Sequence, residues 1–201
     1  VDGVNDGRLQ SGFFTGTSVS TNLAGLDRTK VVTVEVVLSN LDTADTDATN
    51  YVVSLDNEDG TAVLQLGLDG NTVTATLRMS STDNGGTVEA VTKTWALGSF
   101  PYARRAVLHL VVDGDAAEQI KLYYNGVLRT GLTATFNTAY GLHLIDNEGG
   151  ADSALLTLGN DDNFDDAMYG TLYYAAIYKS ALDQAAVTQN ARILLRNDDL
   201  P

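Results

Sequence analysis

The chain has 201 residues, of which 44% are apolar, and this is enough for one sizeable hydrophobic core. Its 26 acidic residues against 12 basic ones give a formal net charge of −14, which opposes binding to nucleic acid and to anionic membranes. There is no cysteine, so disulfides, thiolate metal sites and a cysteine nucleophile are excluded. We expect residues 1–201 to form a single domain.

The first residue of the chain and its lack of cysteine indicate the kind of protein it belongs to and where that protein is located. Val1 stands at the first position instead of Met, so we interpret the chain as a piece excised from a larger protein. No apolar run approaches the ~20 residues that cross a membrane. Bacterial surface and secreted domains often lack disulfides, whereas extracellular animal domains often carry them. These features favour an extracellular or cell-surface domain of a bacterial protein.

Short strand patterns fill the first half of the chain. The polar segment 1–21 is expected to supply an edge strand. Residues 30–39 alternate β-branched side chains in the pattern of a central strand. The turn Asp69-Gly70-Asn71 separates two apolar runs and therefore predicts a hairpin. Further strands in this half are predicted over 51–55, 62–68, 72–79 and 88–95.

The second half continues with strands and closes with a helix. Asn125-Gly126 follows an apolar run and is the dipeptide that a type I′ hairpin turn prefers. Ser180 with Asp183 three residues later resembles a capping box, so we expect a helix over 181–194 with Ser180 as its N-cap. Strands are predicted over 106–112, 120–124, 142–145, 155–158 and 170–178.

A dozen short strands with one terminal helix favour an all-β fold made of two antiparallel sheets. In such a sandwich the inner faces of both sheets are apolar and pack against each other. The sequence therefore predicts a two-sheet sandwich with one short C-terminal helix.

Two segments resemble a known family. LHLVVDG…IKLYYNGVLRTG, over residues 108–131, is similar to a family phrase in which a strand and its turn lead into "LYvNG". LTLGNDDNFDDAMYGTLYYAAIYKSALDQAAV, over 156–187, is similar to the closing phrase of the same family. In this order and spacing the pair resembles the concanavalin A-like lectin and glucanase superfamily, in particular its laminin G and pentraxin-like jelly rolls.

The resemblance implies a curved two-sheet jelly roll. Most members of the family bind sugars, proteins or calcium, and some glycoside hydrolases and polysaccharide lyases share the fold. Because a fold does not determine a function, the site has to be argued from the residues themselves.

The acidic residues do not form the pattern of a glycosidase on this fold, which places closely spaced acids on one strand. Glu35 is alone on its strand. His109 and His143 lie on apolar strands and are interpreted as satisfied histidines of the core or of a sheet face. We therefore expect no catalytic activity, with a diverged glycoside hydrolase or polysaccharide lyase as the alternative.

The densest acidic segment lies after the predicted strand 155–158. Calcium binds six to eight oxygens, and loops rich in Asp and Asn supply them within a short stretch. Solvent-exposed turns of an acidic protein would have the same composition, and the spacing is not that of an EF-hand. The candidate ligands are Asn160, Asp161, Asp162, Asp165 and Asp166, with Asp2 and Asp6 able to complete a site from the other end of the chain.

Aromatic residues beside turns are the candidates for sugar binding, because a pyranose ring stacks on an exposed Trp or Tyr. The candidates are Trp95, Tyr102, Tyr140 and Tyr169. In a sandwich of this size most other aromatic residues belong to the core. Those expected in the core are Tyr123, Tyr124, Tyr173, Tyr174 and Tyr178.

Together these patterns indicate a non-catalytic, calcium-dependent recognition domain that binds a carbohydrate. A glycan or a cell-surface protein is the expected partner, without nucleic acid or membrane insertion. The alternative is a structural or adhesive protein-interaction module within a large bacterial adhesin.

Overall fold

The protein folds as an antiparallel two-sheet β-sandwich, as the sequence predicts. The structure is a computed structural model, and it describes residues 9–10, 23, 25–40, 49–57, 61–81, 86–98, 104–144, 154–160 and 166–196. No helix within these ranges is long and apolar enough to cross a bilayer.

Within the described residues, the large sheet has seven strands. In chain order they are β1 (Leu9–Gln10), β3 (Asn50–Asp56), β4 (Ala62–Asp69), β5 (Thr72–Ser80), β6 (Val88–Ala96), β10 (Gly141–Leu142) and β11 (Leu155–Leu158). They pair in the order β1-β11-β3-β4-β5, and both β10 and β6 pair with β5. Among the described strands, β1 lies at an edge, and it falls within segment 1–21, for which an edge strand is predicted.

The small sheet, in the part of the chain that the structure describes, has five strands in the order β12-β2-β7-β8-β9. They are β2 (Val31–Asn40), β7 (Ala106–Asp113), β8 (Ile120–Tyr124), β9 (Val127–Arg129) and β12 (Gly170–Tyr178). Each of its neighbouring pairs is antiparallel.

The core lies between the sheets, and β2 shows how the sequence produces it. Its even-numbered side chains face the core and its odd-numbered ones face outward, because successive residues of a strand point to opposite faces. The core-facing residues are all buried: Val32, Val34, Val36 and Leu38. On the outer side, Val37 packs against Ala191 of the C-terminal helix.

The predicted hairpin turn at Asn125-Gly126 is confirmed. The φ angle is 51° at Asn125 and 79° at Gly126, so both central residues are in the left-handed region. A type I′ turn requires this conformation, and Asn and Gly adopt it at low cost. The turn joins β8 to β9 with Tyr124 opposite Val127.

The C-terminal helix α1 (Gln184–Leu194) begins later than predicted. Asp183 is its N-cap and accepts a hydrogen bond of 2.8 Å from Ala186 N, so the assignment of Ser180 was wrong. The segment before the helix is held on β2 instead: Thr33 Oγ1 donates to Ser180 O at 2.7 Å and accepts from Leu182 N at 3.0 Å. These bonds delay the first helical turn.

Helix α1 packs on the outer face of the small sheet. Val187 is fully buried against Val111 and Tyr123 of that sheet. The helix thus covers the part of the face formed by β7 and β8, and the face of β12 at the sheet edge is left more accessible.

Candidate functional site

The predicted calcium loop is described only at its two ends. Asn160 is buried and Asp166 is half-buried. Met168 N donates to Gly159 O at 2.8 Å, so the two ends of the acidic segment meet at one point. Within the described ranges, no three His, Cys, Asp or Glu residues cluster closely enough to hold a metal. The remaining candidates lie outside those ranges: Asp161, Asp162, Asp165, Asp2 and Asp6.

The prediction that Trp95 is a sugar platform is wrong. Its side chain is only 1% exposed and belongs to the core cluster between the sheets. Lys93 Nζ lies 5.1 Å from the ring centroid, and Gly131 packs so closely that a Cβ there would come within 2.7 Å of the ring. A sugar therefore has no access to either face. Trp95 is at a core-facing position of β6, opposite Val73 of β5, and is buried for that reason.

The other predicted platforms have different positions. Tyr140 is half-buried and packs partly against the core, and Tyr102 lies outside the described ranges. Tyr169, just before β12, has 39% of its side chain exposed. Among the predicted platforms that the structure describes, Tyr169 is the one that is exposed.

Two tyrosines expected in the core are in fact on the surface. Tyr173 is 51% exposed and Tyr174 is 38% exposed. A register shift between Leu172 and Tyr174 inserts an extra residue into β12, so the alternation of inward and outward side chains is interrupted. Leu172 lies opposite the core residue Leu38, whereas Tyr174 lies opposite the outward-facing Val37. Tyr123 and Tyr124, by contrast, are buried as predicted.

Exposed aromatic side chains are concentrated in one short segment. Among the described residues, the aromatic residues that are exposed are Tyr169, Tyr173 and Tyr174. The guanidinium carbon of Arg105 lies 5.0 Å from the centroid of the Tyr173 ring, within the range of a cation–π contact. We refer to Tyr169, Tyr173, Tyr174 and Arg105 as the tyrosine face.

Hydrogen bonds connect this face to a buried acid, Glu35. Tyr174 Oη lies 3.3 Å from Tyr178 Oη, and Tyr178 donates a hydrogen bond of 2.8 Å to Glu35 Oε1. Burial raises the pKa of Tyr178, and its bonds to Tyr174 and Glu35 raise it further. The Tyr178 phenol therefore stays protonated and keeps donating to Glu35. The tyrosine face is thus continuous with a hydrogen-bonded network inside the protein.

Glu35 forms an acid–base pair with His109 that the sequence does not reveal. The two residues are directly opposite each other on β2 and β7, and Glu35 Oε2 lies 2.7 Å from His109 Nε2. His109 is fully buried and Glu35 is 1% exposed, so a polymeric substrate has no access to them. His109 lies on a sheet face, as interpreted, and is hydrogen-bonded through Nε2, but within the described residues its buried Nδ1 has no partner, so it is not fully satisfied. The pair stabilises the structure and offers no accessible general base.

Comparison with solved structures finds similar folds at low sequence identity. The CBM40 domain of the Ruminococcus gnavus IT-sialidase, bound to α2,3 sialyllactose, is 16% identical with a TM-score of 0.58, over 91% of this chain and 98% of that one. A native heptameric SAP-like pentraxin from Limulus polyphemus is 12% identical with a TM-score of 0.50, over 83% and 71% of the two chains.

The binding domain of botulinum neurotoxin DC, in complex with rat synaptotagmin II, is 11% identical with a TM-score of 0.51. The alignment covers 93% of this chain but only 42% of the toxin domain, so the chain spans less than half of its length. No family model and no curated protein matches the sequence. These likenesses confirm the concanavalin A-like, pentraxin-like jelly-roll fold expected from the two sequence segments.

Proposed function

We propose that the chain is a non-catalytic carbohydrate-binding domain that holds a glycan on the tyrosine face. The observation that carries this proposal is the concentration of exposed tyrosines in residues 169–174. Exposed Tyr rings present an apolar face for the C–H side of a pyranose and a hydroxyl for its polar edge. Large aromatic side chains are otherwise buried in a soluble protein, so their exposure together marks a binding surface.

The similar structures support a glycan as the ligand. One of them, the CBM40 domain, is bound to α2,3 sialyllactose. At such low sequence identity the likeness shows only the fold, so the binding site has to be argued from the residues of this chain. Arg105, held over Tyr173, adds hydrogen-bond donors beside the rings. We place the domain on the outside of a cell or in a secreted protein, where such ligands occur.

We also propose that calcium stabilises the acidic loop between Gly159 and Met168. The hydrogen bond between these two residues holds the two ends of the loop together, and the sequence between them contains four Asp residues. Carboxylates held close together repel each other, and a divalent cation relieves the repulsion. Asn160 and Asp166 lie at the two ends of the loop, next to the bond that closes it.

One observation favours a second candidate function, a protein-interaction or adhesive module. Strand β9 is an edge of the small sheet, and its residues Val127 and Leu128 are exposed, as is Leu132 just beyond it. An edge strand with exposed apolar side chains can pair with a strand of another protein. The binding experiments below separate this function from glycan binding.

A glycan array probed with the calcium-loaded domain tests the main proposal. If a glycan binds on the tyrosine face, Tyr173→Ala and Tyr174→Ala each weaken its binding roughly tenfold, because each removes a stacking ring. Tyr173→Phe keeps the ring and should retain most of the binding. Leu132→Ala, a change at an exposed site elsewhere, is the matched control.

Three results would contradict the proposal. Silence of the wild-type domain across the array would favour the interaction module. Binding that survives both tyrosine-to-alanine changes would place the glycan elsewhere on the protein. Release of reducing sugar from plant or marine polysaccharides would instead identify a glycan-cleaving enzyme.

A further inference from the structure

A second polar cluster lies on the opposite side of the sandwich from the tyrosine face. On β5, Arg78 and Ser80 alternate with the core residues Leu77 and Met79, so their side chains point to the outer face of the large sheet. His143 follows β10 and donates its backbone N–H to Arg78 O at 3.0 Å. Residues distant in sequence thus meet at one end of β5.

Hydrogen bonds fix most of this cluster. Arg28 Nη1 donates to both the hydroxyl and the carbonyl oxygen of Ser80. Ser80 Oγ lies 3.0 Å from His143 Nδ1, and both residues are buried. The arginine, the serine and the histidine therefore form one rigid unit.

The backbone of Arg28 is in an unusual conformation that the fold maintains. Its φ angle is 58°, in the left-handed region that residues other than glycine rarely adopt. Gly141 packs directly on this backbone, and a Cβ at Gly141 would come within 2.2 Å of Arg28 O. Such conformations persist where the surrounding structure imposes them, and they occur often at binding sites.

Arg78 stands next to this unit with an unused donor. Its side chain is half-buried, and within the described part of the chain its buried Nε has no hydrogen-bond partner. This Nε is closed to solvent, so an oxyanion reaches it after a shift of the Arg78 side chain; a buried donor without a partner costs free energy, and the ligand that accepts its hydrogen bond gains affinity. The planar guanidinium matches the two oxygens of a carboxylate or a sulfate.

The charge of the cluster is opposite to that of the whole chain. The protein has a net charge of −14, yet two arginines and a histidine meet here. Asp27, which precedes Arg28, directs its Oδ1 to Leu144 N at 2.9 Å. The two arginines outnumber this carboxylate by one, and at physiological salt the fields of charges more than about 8 Å away are largely screened.

We infer that Arg78 and the Arg28–Ser80–His143 unit form a binding position for an oxyanion, a carboxylate or sulfate group, on the outer face of the large sheet. The position does not depend on the tyrosine face, which lies on the other sheet. An acidic saccharide and a small free anion share this chemistry, and their relative affinities distinguish them.

The test is an NMR titration of the full chain, with the Nε–H signal of Arg78 followed at constant ionic strength. Sodium glucuronate and sodium sulfate are the probes, and glucose is the neutral control. We expect a saturable shift of the Arg78 signal with at least one anion and none with glucose. Tighter binding of glucuronate than of sulfate identifies an acidic saccharide, and equal or tighter binding of sulfate identifies a general anion position.

Variants check that the shift reports the site. Arg78→Gln should weaken anion binding at least tenfold, as followed by the signals of Ser80 and His143, whereas Arg192→Gln on helix α1 should leave it unchanged. The absence of a saturable shift in the wild-type protein overturns the inference, and so does unchanged anion binding in a folded Arg78→Gln variant. The wild-type titration decides the question even if that variant does not fold.

Discussion

The side chain of Asn190 on helix α1 donates a hydrogen bond of 2.8 Å to Glu35 Oε2 on the central strand β2. The same carboxylate accepts hydrogen bonds from His109 at 2.7 Å and from Tyr178 at 2.8 Å. One buried acid thus joins the C-terminal helix to three strands of the small sheet. Because Tyr178 also contacts Tyr174, the packing of the helix and the support of the tyrosine face depend on the same group.

This network predicts a stability that depends on pH. Burial by itself raises the pKa of Glu35, but hydrogen bonds from His109, Asn190 and Tyr178 outweigh it, so the pKa lies below its ordinary value of 4.5. A carboxyl with a lowered pKa stabilises the fold above its unfolded-state pKa, and this contribution is lost as the pH falls through the folded-state pKa.

Glu35→Gln measures the contribution. At neutral pH we expect it to lower the free energy of unfolding by roughly 1–3 kcal/mol, because a buried charged acceptor is lost. The difference from wild type should shrink as the pH falls below about 4.5. Denaturant unfolding of both proteins between neutral pH and pH 3 gives this difference. The other acids are the same in both proteins, so their titration cancels in the comparison. A difference that does not change with pH would show that the ionisation of Glu35 is unimportant.

The N-cap of helix α1 gives a second prediction, with a control three residues away. Asp183 accepts from Ala186 N at 2.8 Å, so Asp183→Ala should lower the free energy of unfolding by about 1 kcal/mol. Ser180→Ala should cost much less, since the bond to Thr33 uses the backbone carbonyl of Ser180. Thermal melts of the two variants decide between the caps, and a larger loss for Ser180→Ala would contradict the structure.

Gly170 at the beginning of β12 should not tolerate a side chain. Its φ angle is +153°, and a Cβ there would lie 2.0 Å from Ser39 O on the neighbouring strand. We expect Gly170→Ala to lower the free energy of unfolding by more than about 2 kcal/mol, because the backbone has to shift. The exposed neighbour Thr171, changed to Ala, is the control and should have a small effect. Equal melting temperatures for the two variants would refute this prediction.

Removal of calcium tests the proposed loop site. If the loop between Gly159 and Met168 binds the ion tightly, excess EDTA lowers the melting temperature and added calcium restores it, because a ligand of the folded state stabilises it by mass action. Asp166→Asn should reduce the calcium-dependent part of the stability. A melting temperature that is the same in EDTA and in calcium would exclude a tightly bound structural ion.

The regular features of the fold follow from local patterns, so they could be predicted. The core face of β2 alternates with a period of two residues, and the Asn125-Gly126 turn requires its two positive φ angles. The pair of Glu35 and His109 could not be predicted, since the residues are 74 positions apart and meet only when β2 and β7 pair in one register. The hydroxyl of Thr33 likewise displaced the predicted N-cap through a contact across the fold.

The candidate site likewise combines features that follow from local sequence with features that depend on contacts across the fold. The sequence by itself determined most of the strands, their order and their turns, although it did not single out the short strand β9. Its tyrosines marked β12 as aromatic, because alternation and turn chemistry act over a few residues. Only the tertiary structure decided which aromatic rings reach the surface. The bulge at Tyr173 exposes two tyrosines that strict alternation would place on opposite faces, and the position of β6 against β5 buries Trp95. Exposure depends on what packs against a side chain, and that is settled by strands far apart in the chain.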